Sequence, residues 1–312
     1  MVDLTVKIGD LVLANPVMPA SGTFAEGLAQ LISFNALGAI VTKTITAELR
    51  GGNPTPRVAE VGQAMLNSIG IPSKGVDYFI GNILPFYRSF EAPLVVSVSA
   101  PSVDGFGAIV ERLNVPGISA IEANISCPNI EEDGRAFAMR PQSAEAVVSR
   151  IRGCTQLPLW VKLTPNTGDV AAVARAAERA GADALVVANT ILAMAIDTET
   201  FKPKLGSIMG GLSGPAVKPI FVRMTYQCAK AVNIPVIGCG GISTAEDAIE
   251  YLLAGAAAVQ VGTATFVRPT TMIEIIDELA LYCARKGITR ISELTGAVND
   301  SGMNIDELEA VG

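Results

Sequence analysis

The residues best placed to do chemistry are polar side chains at the ends of short apolar segments. Lys43 ends the segment AIVTKT and Lys162 lies in WVKLTP, and a lysine inside an apolar run is costly unless its charge is neutralised. A strand-end lysine whose ammonium reaches solvent is the simpler interpretation. Two such lysines together with amides and hydroxyls at similar positions favour an anionic or carbonyl-rich ligand. These polar residues are Asn124, Ser126, Asn189 and Thr190.

Two glycine-containing turns follow the last two apolar segments, at Gly238-Cys239-Gly240-Gly241 and Val261-Gly262-Thr263. Glycine lets backbone N–H groups approach a phosphate, and a helix predicted to begin near Thr244 would add its positive end. Phosphate sites after the seventh and eighth strands recur in barrels of alternating strands and helices. Barrel closure also uses glycine at strand ends, which is the alternative interpretation. The pattern favours a phosphorylated ligand.

Cys127 is the candidate catalytic base. It opens a long loop beside Asn124 and Asn129, where a barrel presents its reacting side chain. The chain contains no histidine, so proton transfer must fall to Cys, Lys, Asp, Glu or Tyr. A cysteine is more often a small buried hydrophobe than a base. We interpret the other four cysteines in that way, namely Cys154, Cys228, Cys239 and Cys283.

Apolar segments that alternate with helical patterns predict the elements that position these residues. Nearly continuous apolar strands are typical of a parallel sheet covered by helices, and eight of them predict an α/β fold, a closed (β/α)8 TIM barrel. The predicted helices include Asp169–Ala180, Pro215–Val232 and Thr244–Ala254. The predicted strands are Pro16–Ala20, Ala39–Lys43, Leu94–Val98, Ala120–Ile125, Leu159–Leu163, Ala184–Ala188, Pro235–Gly238 and Ala258–Gly262.

Segments outside this alternation predict a plug and three active-site loops. Leu4–Ile8 and Leu11–Leu13 form a predicted N-terminal β-hairpin that closes the lower end of the barrel. Three connections are too long for turns and follow strands, so they are expected at the carboxyl-end face. They are Ile45–Ser73, Pro128–Gln142 and Ile191–Gly214. We find no linker or repeat, and expect residues 1–312 to form a single domain.

Composition excludes several classes of function. A net charge of −7 without basic runs argues against nucleic-acid binding. No signal peptide is visible, and no apolar stretch reaches the roughly 20 residues of a membrane span. The five cysteines form no Cys-x-x-Cys pair, which argues against an iron–sulfur cluster or thiolate zinc site on this chain. Their odd number and scattered spacing suit a reducing cytoplasm.

At the level of motifs, the chain resembles the class 1 dihydroorotate dehydrogenases, and most closely the catalytic subunit of the class 1B enzymes. The resemblance runs from the hairpin to about Ala264, and the segment Asp133–Phe137 sides with class 1B. The motifs are Pro19–Gly22, Thr42–Thr44, Gly52–Arg57, Asn67–Gly70, Asn124–Asn129, Lys162–Asn166, Asn189-Thr190, Gly210–Ala216 and the two glycine turns.

The resemblance implies a mechanism and two sets of binding residues. Cys127 would take the C5 proton of dihydroorotate while hydride leaves C6 for FMN, with Lys43 and Lys162 assisting. FMN would be held by Ser21, Lys43, Thr44, Asn124, Lys162, Ala188, Gly214, Gly240, Gly241, Gly262 and Thr263. The pyrimidine would be held by Lys43, Asn67, Ser68, Ile69, Gly70, Ile71, Asn124, Asn189 and Thr190.

The resemblance also implies a partner, and two departures leave alternatives open. Class 1B enzymes carry FAD and a [2Fe–2S] cluster on a separate subunit that passes electrons to NAD, in a heterotetramer built on a homodimer core. This chain has Ser73 and Ser97 where the family usually has Asn. One alternative is therefore an FMN reductase of another dihydropyrimidine, such as dihydrouracil. Another is a flavin-binding, electron-carrying subunit without its own substrate.

Overall fold

The computed structural model describes residues 2–126 and 136–300 of the chain, and eight of its strands form one parallel sheet. The strands are β1 (Val6–Ile8), β2 (Leu11–Leu13), β3 (Val17–Pro19), β4 (Ile40–Val41), β5 (Leu49–Arg50), β6 (Val58–Val61), β7 (Ala64–Asn67), β8 (Ser73–Lys74), β9 (Leu94–Val98), β10 (Ala120–Asn124), β11 (Leu159–Lys162), β12 (Ala184–Val187), β13 (Ile191–Ala193), β14 (Ile196–Asp197), β15 (Lys202–Pro203), β16 (Gly210–Ser213), β17 (Val236–Cys239) and β18 (Ala256–Val261).

The large sheet closes into a barrel. Its order is β3-β18-β17-β12-β11-β10-β9-β4, with every neighbouring pair parallel. The first and last strands are joined where the Gly38 N–H donates to the Val17 carbonyl at 2.9 Å. The eight predicted strands are therefore present, and the predicted (β/α)8 barrel is confirmed.

Amphipathic helices cover the outside of the barrel. In α5, Val170, Val173 and Ala177 are buried on one face, and Asp169 caps the helix by accepting from the Ala172 amide at 2.8 Å. The helices are α1 (Val76–Tyr78), α2 (Leu84–Tyr87), α3 (Val103–Arg112), α4 (Pro141–Arg152), α5 (Val170–Arg179), α6 (Lys218–Ala231), α7 (Ala245–Leu253), α8 (Ala264–Val267) and α9 (Thr271–Lys286). None of the helices within residues 2–126 and 136–300 is long and apolar enough to cross a membrane.

The N-terminal hairpin lies at the lower end of the barrel, as predicted. Strands β1 and β2 pair antiparallel, with Val6, Ile8 and Leu13 buried. The tip residue Gly9 lies near Asp183, which immediately precedes β12. The hairpin thus covers the amino ends of the strands, leaving the opposite face for the long connections.

Two of the long connections combine into a second sheet that the sequence pattern did not predict. Strands β6 and β7 from the first connection pair antiparallel with β16 and β13 from the last, in the order β13-β16-β7-β6. Glycine at position 211 brings β16 close to Thr190, because a Cβ there would overlap the threonine hydroxyl. The middle connection, Pro128–Gln142, lies partly outside the described residues.

The close backbone contact of Gly38 at the junction between β3 and β4 predicts that even an added methyl group there lowers the stability of the protein. A Cβ on Gly38 would overlap the carbonyl oxygen of Asn15, which belongs to the backbone and cannot swing away. We expect Gly38→Ala to lower the free energy of unfolding by about 1–3 kcal/mol through overpacking. Gly27→Ala is the control, since its Cβ would meet nothing within 4 Å. Urea unfolding measures both, and equal stabilities would contradict the importance of this junction.

Candidate active site

A cavity of about 490 Å³ opens at the carboxyl ends of the barrel strands. It is bounded by the strand ends below and by β7 and β16 of the second sheet on one side. The predicted site residues that line it are Ser21, Lys43, Thr44, Asn67, Ile69, Gly70, Ile71, Asn124, Lys162, Ala188, Asn189, Thr190, Gly240, Gly241, Gly262 and Thr263.

Three predicted site residues are not in this lining. Ser68 follows β7 and bonds with Asn53 and, at 3.0 Å, with Ser207, so its hydroxyl serves the loop framework. Gly214 lies in an adjoining cavity of about 160 Å³, which it shares with Gly241 and Thr263 of the main lining. Cys127 lies outside the described residues.

Lys43 presents a cation to the cavity. It lies two residues after the end of β4, is partly buried, and its ammonium has no hydrogen bond or ion pair within the described parts of the chain. Burial lowers the pKa of Lys43 below its usual 10.5, because the charged form has lost part of its hydration. An anion bound in the cavity would restore that stabilisation.

Lys162 is a second ammonium, held far more tightly. It ends β11, is 4% exposed, and donates to Gln260 Oε1 at 2.9 Å. Burial works to lower the pKa of Lys162, but Cys239 and Glu122 outweigh it and raise the pKa above 10.5. Lys162 therefore stays charged at the floor of the cavity.

Amide and hydroxyl groups from two strand ends form one hydrogen-bonded cluster. Asn189 Nδ2 donates to Asn124 Oδ1 at 3.2 Å and to Ser126 Oγ at 3.0 Å. Asn189 Oδ1 accepts from the Thr190 amide at 2.8 Å, which fixes the orientation of the side-chain amide. The cluster lies where β10 and β12 end, and offers donors and acceptors to a polar ring.

The glycine turn after β17 provides close access to backbone. Gly240 and Gly241 have φ angles of 143° and 71°, which favour glycine. A Cβ on Gly240 would also meet the Phe221 ring at 2.7 Å. Helix α7 begins where it was predicted, with Thr244 as its N-cap, and the Asp247 carboxylate accepts from the amides of Ser243 and Thr244. Both amides are therefore already bonded within the chain, whereas the glycine turn lines the cavity.

Sequence reasoning missed several residues of the lining. Cys239 was interpreted as an ordinary core cysteine; it is buried, but lies in the cavity wall beside Lys162. Cys154 is only partly buried and hydrogen bonds with Glu111 at 3.2 Å, so the core interpretation is wrong there. The other missed lining residues include Arg50, Asn53, Ser213, Phe221 and Phe266. They lie in the long connections or on helices α6 and α8, and not at the ends of barrel strands, so the strand-end pattern did not indicate them.

Clustered metal ligands are absent from the part of the chain that the structure describes. The chemistry of the described cavity rests instead on two ammonium groups, a set of amides and hydroxyls, and glycine backbone.

Comparison with known proteins identifies relatives over nearly the whole chain. The family model described as dihydroorotate dehydrogenase matches residues 3–282. A protein of Desulforamulus reducens named dihydroorotate dehydrogenase B (NAD(+)), catalytic subunit, is 48% identical over 300 residues, which cover 95% of this chain and 99% of the relative. The protein of that name from Bacteroides thetaiotaomicron is 45% identical over 301 residues, covering 96% and 99%.

A solved structure shares the fold at lower sequence identity. The crystal structure of DHODH in complex with ferulenol from Eimeria tenella matches with a TM-score of 0.78 and 23% identity. The match covers 95% of this chain and 88% of that chain. It supports the same barrel architecture.

The glycine turn depends on one buried phenol, which gives a prediction. Tyr251 OH donates to the Gly240 carbonyl at 2.5 Å, and burial raises the pKa of Tyr251, so the phenol remains a donor. We expect Tyr251→Phe to cost about 1–2 kcal/mol of unfolding free energy, because that carbonyl loses its partner. Tyr282→Phe on α9 is the control, because the hydroxyl of this partly buried ring has no hydrogen bond among the described residues. Equal thermal stabilities would show that the bond does not hold the turn.

Proposed function

The chain belongs to the dihydroorotate dehydrogenase family, and from that premise we propose that it oxidises (S)-dihydroorotate to orotate in de novo pyrimidine biosynthesis, with FMN as its flavin. The observation that carries the proposal is the Lys43 ammonium, which has no partner within the described residues, beside the Asn124–Asn189 cluster in one cavity. Orotate is an anion rich in carbonyl and N–H groups, which these side chains match. We treat residues 1–312 as one FMN-binding domain.

The cavity fits FMN in both shape and chemistry. Gly240, Gly241, Gly262 and Thr263 line one end, where a Cβ on Gly240 would overlap the ring of Phe221, another lining residue. That end would take the phosphate, and Gly214 of the adjoining cavity would contribute to it. The flavin ring would contact Ser21, Lys43, Thr44, Asn124, Lys162 and Ala188.

The pyrimidine would lie between the strand ends and the loop after β7. The residues proposed to contact it are Lys43, Asn67, Ser68, Ile69, Gly70, Ile71, Asn124, Asn189 and Thr190. Lys43 would bind the carboxylate, and the Asn189 amide, oriented by Thr190, would bind a ring carbonyl or N–H. Asn67 donates to the Gly211 carbonyl at 3.1 Å, so the second sheet positions it at the cavity edge.

Proton removal is assigned to Cys127, which follows Ser126 of the cavity lining. When bound, FMN supplies the hydride acceptor. Cys127 would take the C5 proton of dihydroorotate, and a positioned base typically contributes about 10²–10⁴-fold. Lys162 holds a fixed positive charge where negative charge develops, without any rearrangement during the reaction.

A related reductase acting on dihydrouracil remains the second candidate because of Ser73. The structure weakens that argument, since Ser73 Oγ accepts from the backbone amides of Thr46 at 3.1 Å and Gly75 at 3.2 Å and does not line the cavity. Ser97 is likewise buried beneath the cavity. Neither departure replaces a group that faces the proposed substrate.

Electrons would leave through a partner. The relatives named above are called catalytic subunits, and we propose an iron–sulfur FAD subunit that delivers electrons to NAD, on a homodimer core in a heterotetramer. Exposed apolar side chains near β13 and β14, namely Leu192, Met194, Ile196 and Phe201, suit such contacts. Four described cysteines are free, which suits our proposal of a cytoplasmic location.

Anaerobic reduction of the purified protein tests the proposed function. A yellow, FMN-containing protein bleached by dihydroorotate supports it. Bleaching only by dihydrouracil indicates the second candidate, and bleaching by neither indicates an electron-carrying subunit without its own substrate. A colourless protein that cannot be loaded with FMN would refute all three. Co-purification of a flavoprotein with iron and FAD tests the partner.

Replacement of the proposed base should separate chemistry from binding. We expect Cys127→Ser to retain FMN and orotate but to reduce the flavin ~10²-fold more slowly. Stopped-flow absorbance measures the rate, with Cys154→Ser on the surface as control. A free thiol has a pKa near ~8.5, so the wild-type rate should rise toward that pH. Unchanged kinetics in Cys127→Ser would remove this residue from the mechanism.

The lowered pKa of Lys43 predicts that anion binding depends on pH. Because burial lowers its pKa, Lys43 loses its charge at a lower pH than a free lysine. Orotate affinity should therefore fall as the pH rises toward 10, before the usual lysine value is reached. Lys43→Arg should retain its charge and flatten the profile. Titration of the FMN-loaded protein with orotate measures this, and identical profiles would contradict the assignment.

A further inference from the structure

Beneath the cavity, the barrel interior contains polar residues that contact no proposed ligand. Glu122 on β10 and Gln260 on β18 are both fully buried, and Ser97 on β9 is the register partner of Glu122. Gln260 is in turn the register partner of Cys239 on β17. These residues form a layer directly below Lys162 and Thr44. Burying a carboxylate costs free energy of hydration unless hydrogen bonds and an opposite charge compensate for it, so the partners of Glu122 show what it stabilises.

Hydrogen bonds link Glu122 to Lys162 through the Gln260 amide. Gln260 Nε2 donates to Glu122 Oε2 at 2.6 Å, and Gln260 Oε1 accepts from Lys162 Nζ at 2.9 Å. The lysine can only donate and the carboxylate can only accept, so the amide has one permitted orientation. The charges of Lys162 and Glu122 are thus coupled across one side chain.

A second set of bonds fixes the carboxylate from the other side. Ser97 Oγ donates to Glu122 Oε1 at 3.0 Å. Since that uses the only proton of Ser97, Thr44 must donate in its 2.9 Å contact with Ser97 Oγ. Glu122 therefore accepts on both oxygens, and its position is set from two strands.

Glu122 is the counter-charge of Lys162. Within residues 2–126 and 136–300, Lys162 forms no direct ion pair, and the titratable groups that act on it are Cys239 and Glu122. Lys43 is the other cation of the same cavity. Burial raises the pKa of the Cys239 thiol, which is therefore neutral near pH 7. Cys239 and Glu122 both act to raise the pKa of Lys162, and Glu122 is the one that the Gln260 amide links to it by hydrogen bonds.

We propose that Glu122 is a positioning residue, which acts through Gln260 to hold Lys162 charged and in place at the cavity floor. The inference deepens the proposed function and rests on it only in identifying the ligand above Lys162 as FMN. Glu122 itself does not line the cavity. Its effect is to fix a donor and a positive charge at one point.

Exchanging the two side chains gives a sharp test. In Glu122→Gln, the new amide cannot accept from both Ser97 and Gln260, and the counter-charge is lost. In the double variant E122Q/Q260E, the carboxylate at position 260 would accept from Lys162 directly and from the amide at position 122. Ser97 would still have an acceptor, so the charge and each hydrogen bond are preserved in the exchanged arrangement.

Unfolding of the apoprotein between pH 7 and 9.5 tests the charge without any flavin. In wild type, the pKa of Lys162 lies above the unfolded value of 10.5, so its contribution to stability is constant in this window. In E122Q, burial should depress the pKa, and the unfolded state then binds more protons. Stability of E122Q should therefore rise with pH relative to wild type, while a merely lost hydrogen bond gives a constant difference.

The double variant should follow the wild-type profile. All proteins are also compared in a Cys239→Ser background, which removes the thiol as a source of pH dependence. A pH-independent deficit in E122Q, or a double variant no better than E122Q, would overturn the proposal. Should E122Q fail to fold, folding of the double variant supports the coupling and its failure to fold refutes it.

The FMN-loaded proteins provide the second measurement. Groups that orient a ligand-contacting residue from behind typically contribute about 10–100-fold, as in metal sites. We expect flavin reduction by dihydroorotate to slow by that factor in E122Q and to recover in E122Q/Q260E, with a pH-dependent FMN spectrum only in E122Q. If wild type takes up no FMN, the proposed function fails, whereas the apoprotein profiles still decide the inference. Equal rates and spectra in FMN-loaded wild type and E122Q refute it.

Discussion

The narrow interior of the eight-stranded barrel constrains the rest of the structure. A barrel of this size is just wide enough for side chains to fill, so groups that point inward must satisfy one another. Valine, isoleucine and alanine fill the lower part and require nothing further. Near the carboxyl ends the inward residues become polar, and Glu122, Gln260 and Lys162 fit only as a bonded set. Of that set, Lys162 lines the cavity above and supplies one of its two ammonium groups.

The two lysines show how one fold produces two kinds of cation. Lys162 is buried and bonded, and its pKa is raised, so it keeps one position and one charge. Lys43 is partly buried without a partner in the described structure, and its pKa is lowered. The first suits a permanent positive charge beside a resident cofactor. The second suits a group that is stabilised when an anionic substrate arrives and becomes easier to deprotonate when it leaves.

Sequence reasoning was strongest where chain direction alone determines position. Parallel strands end on one rim, so Lys43, Asn124, Lys162 and Asn189 were predicted to meet there, and they line one cavity. Pairing between distant loops was not predictable, since nothing local in Ala64–Asn67 indicates Gly210–Ser213 as its partner. Helix α7 begins near Thr244 as predicted, but the sequence pattern did not indicate that the Asp247 carboxylate would bond to the Ser243 and Thr244 amides.

The buried layer of Glu122, Gln260 and Ser97 was not predicted, because its residues lie inside strands and the sequence interpretation used only polar residues at strand ends. Glu122 in AIEAN and Gln260 in AAAVQV each interrupt an apolar run, and such a residue must find a partner when the run is buried on both faces. Each residue alone predicts only an unknown partner. Together with Lys162 they form a complete set of one anion, one cation and one amide that can join them. Matching buried donors with acceptors across strands would therefore have indicated this set from the sequence. The set lies beneath the cavity, where we propose that it holds Lys162 in place.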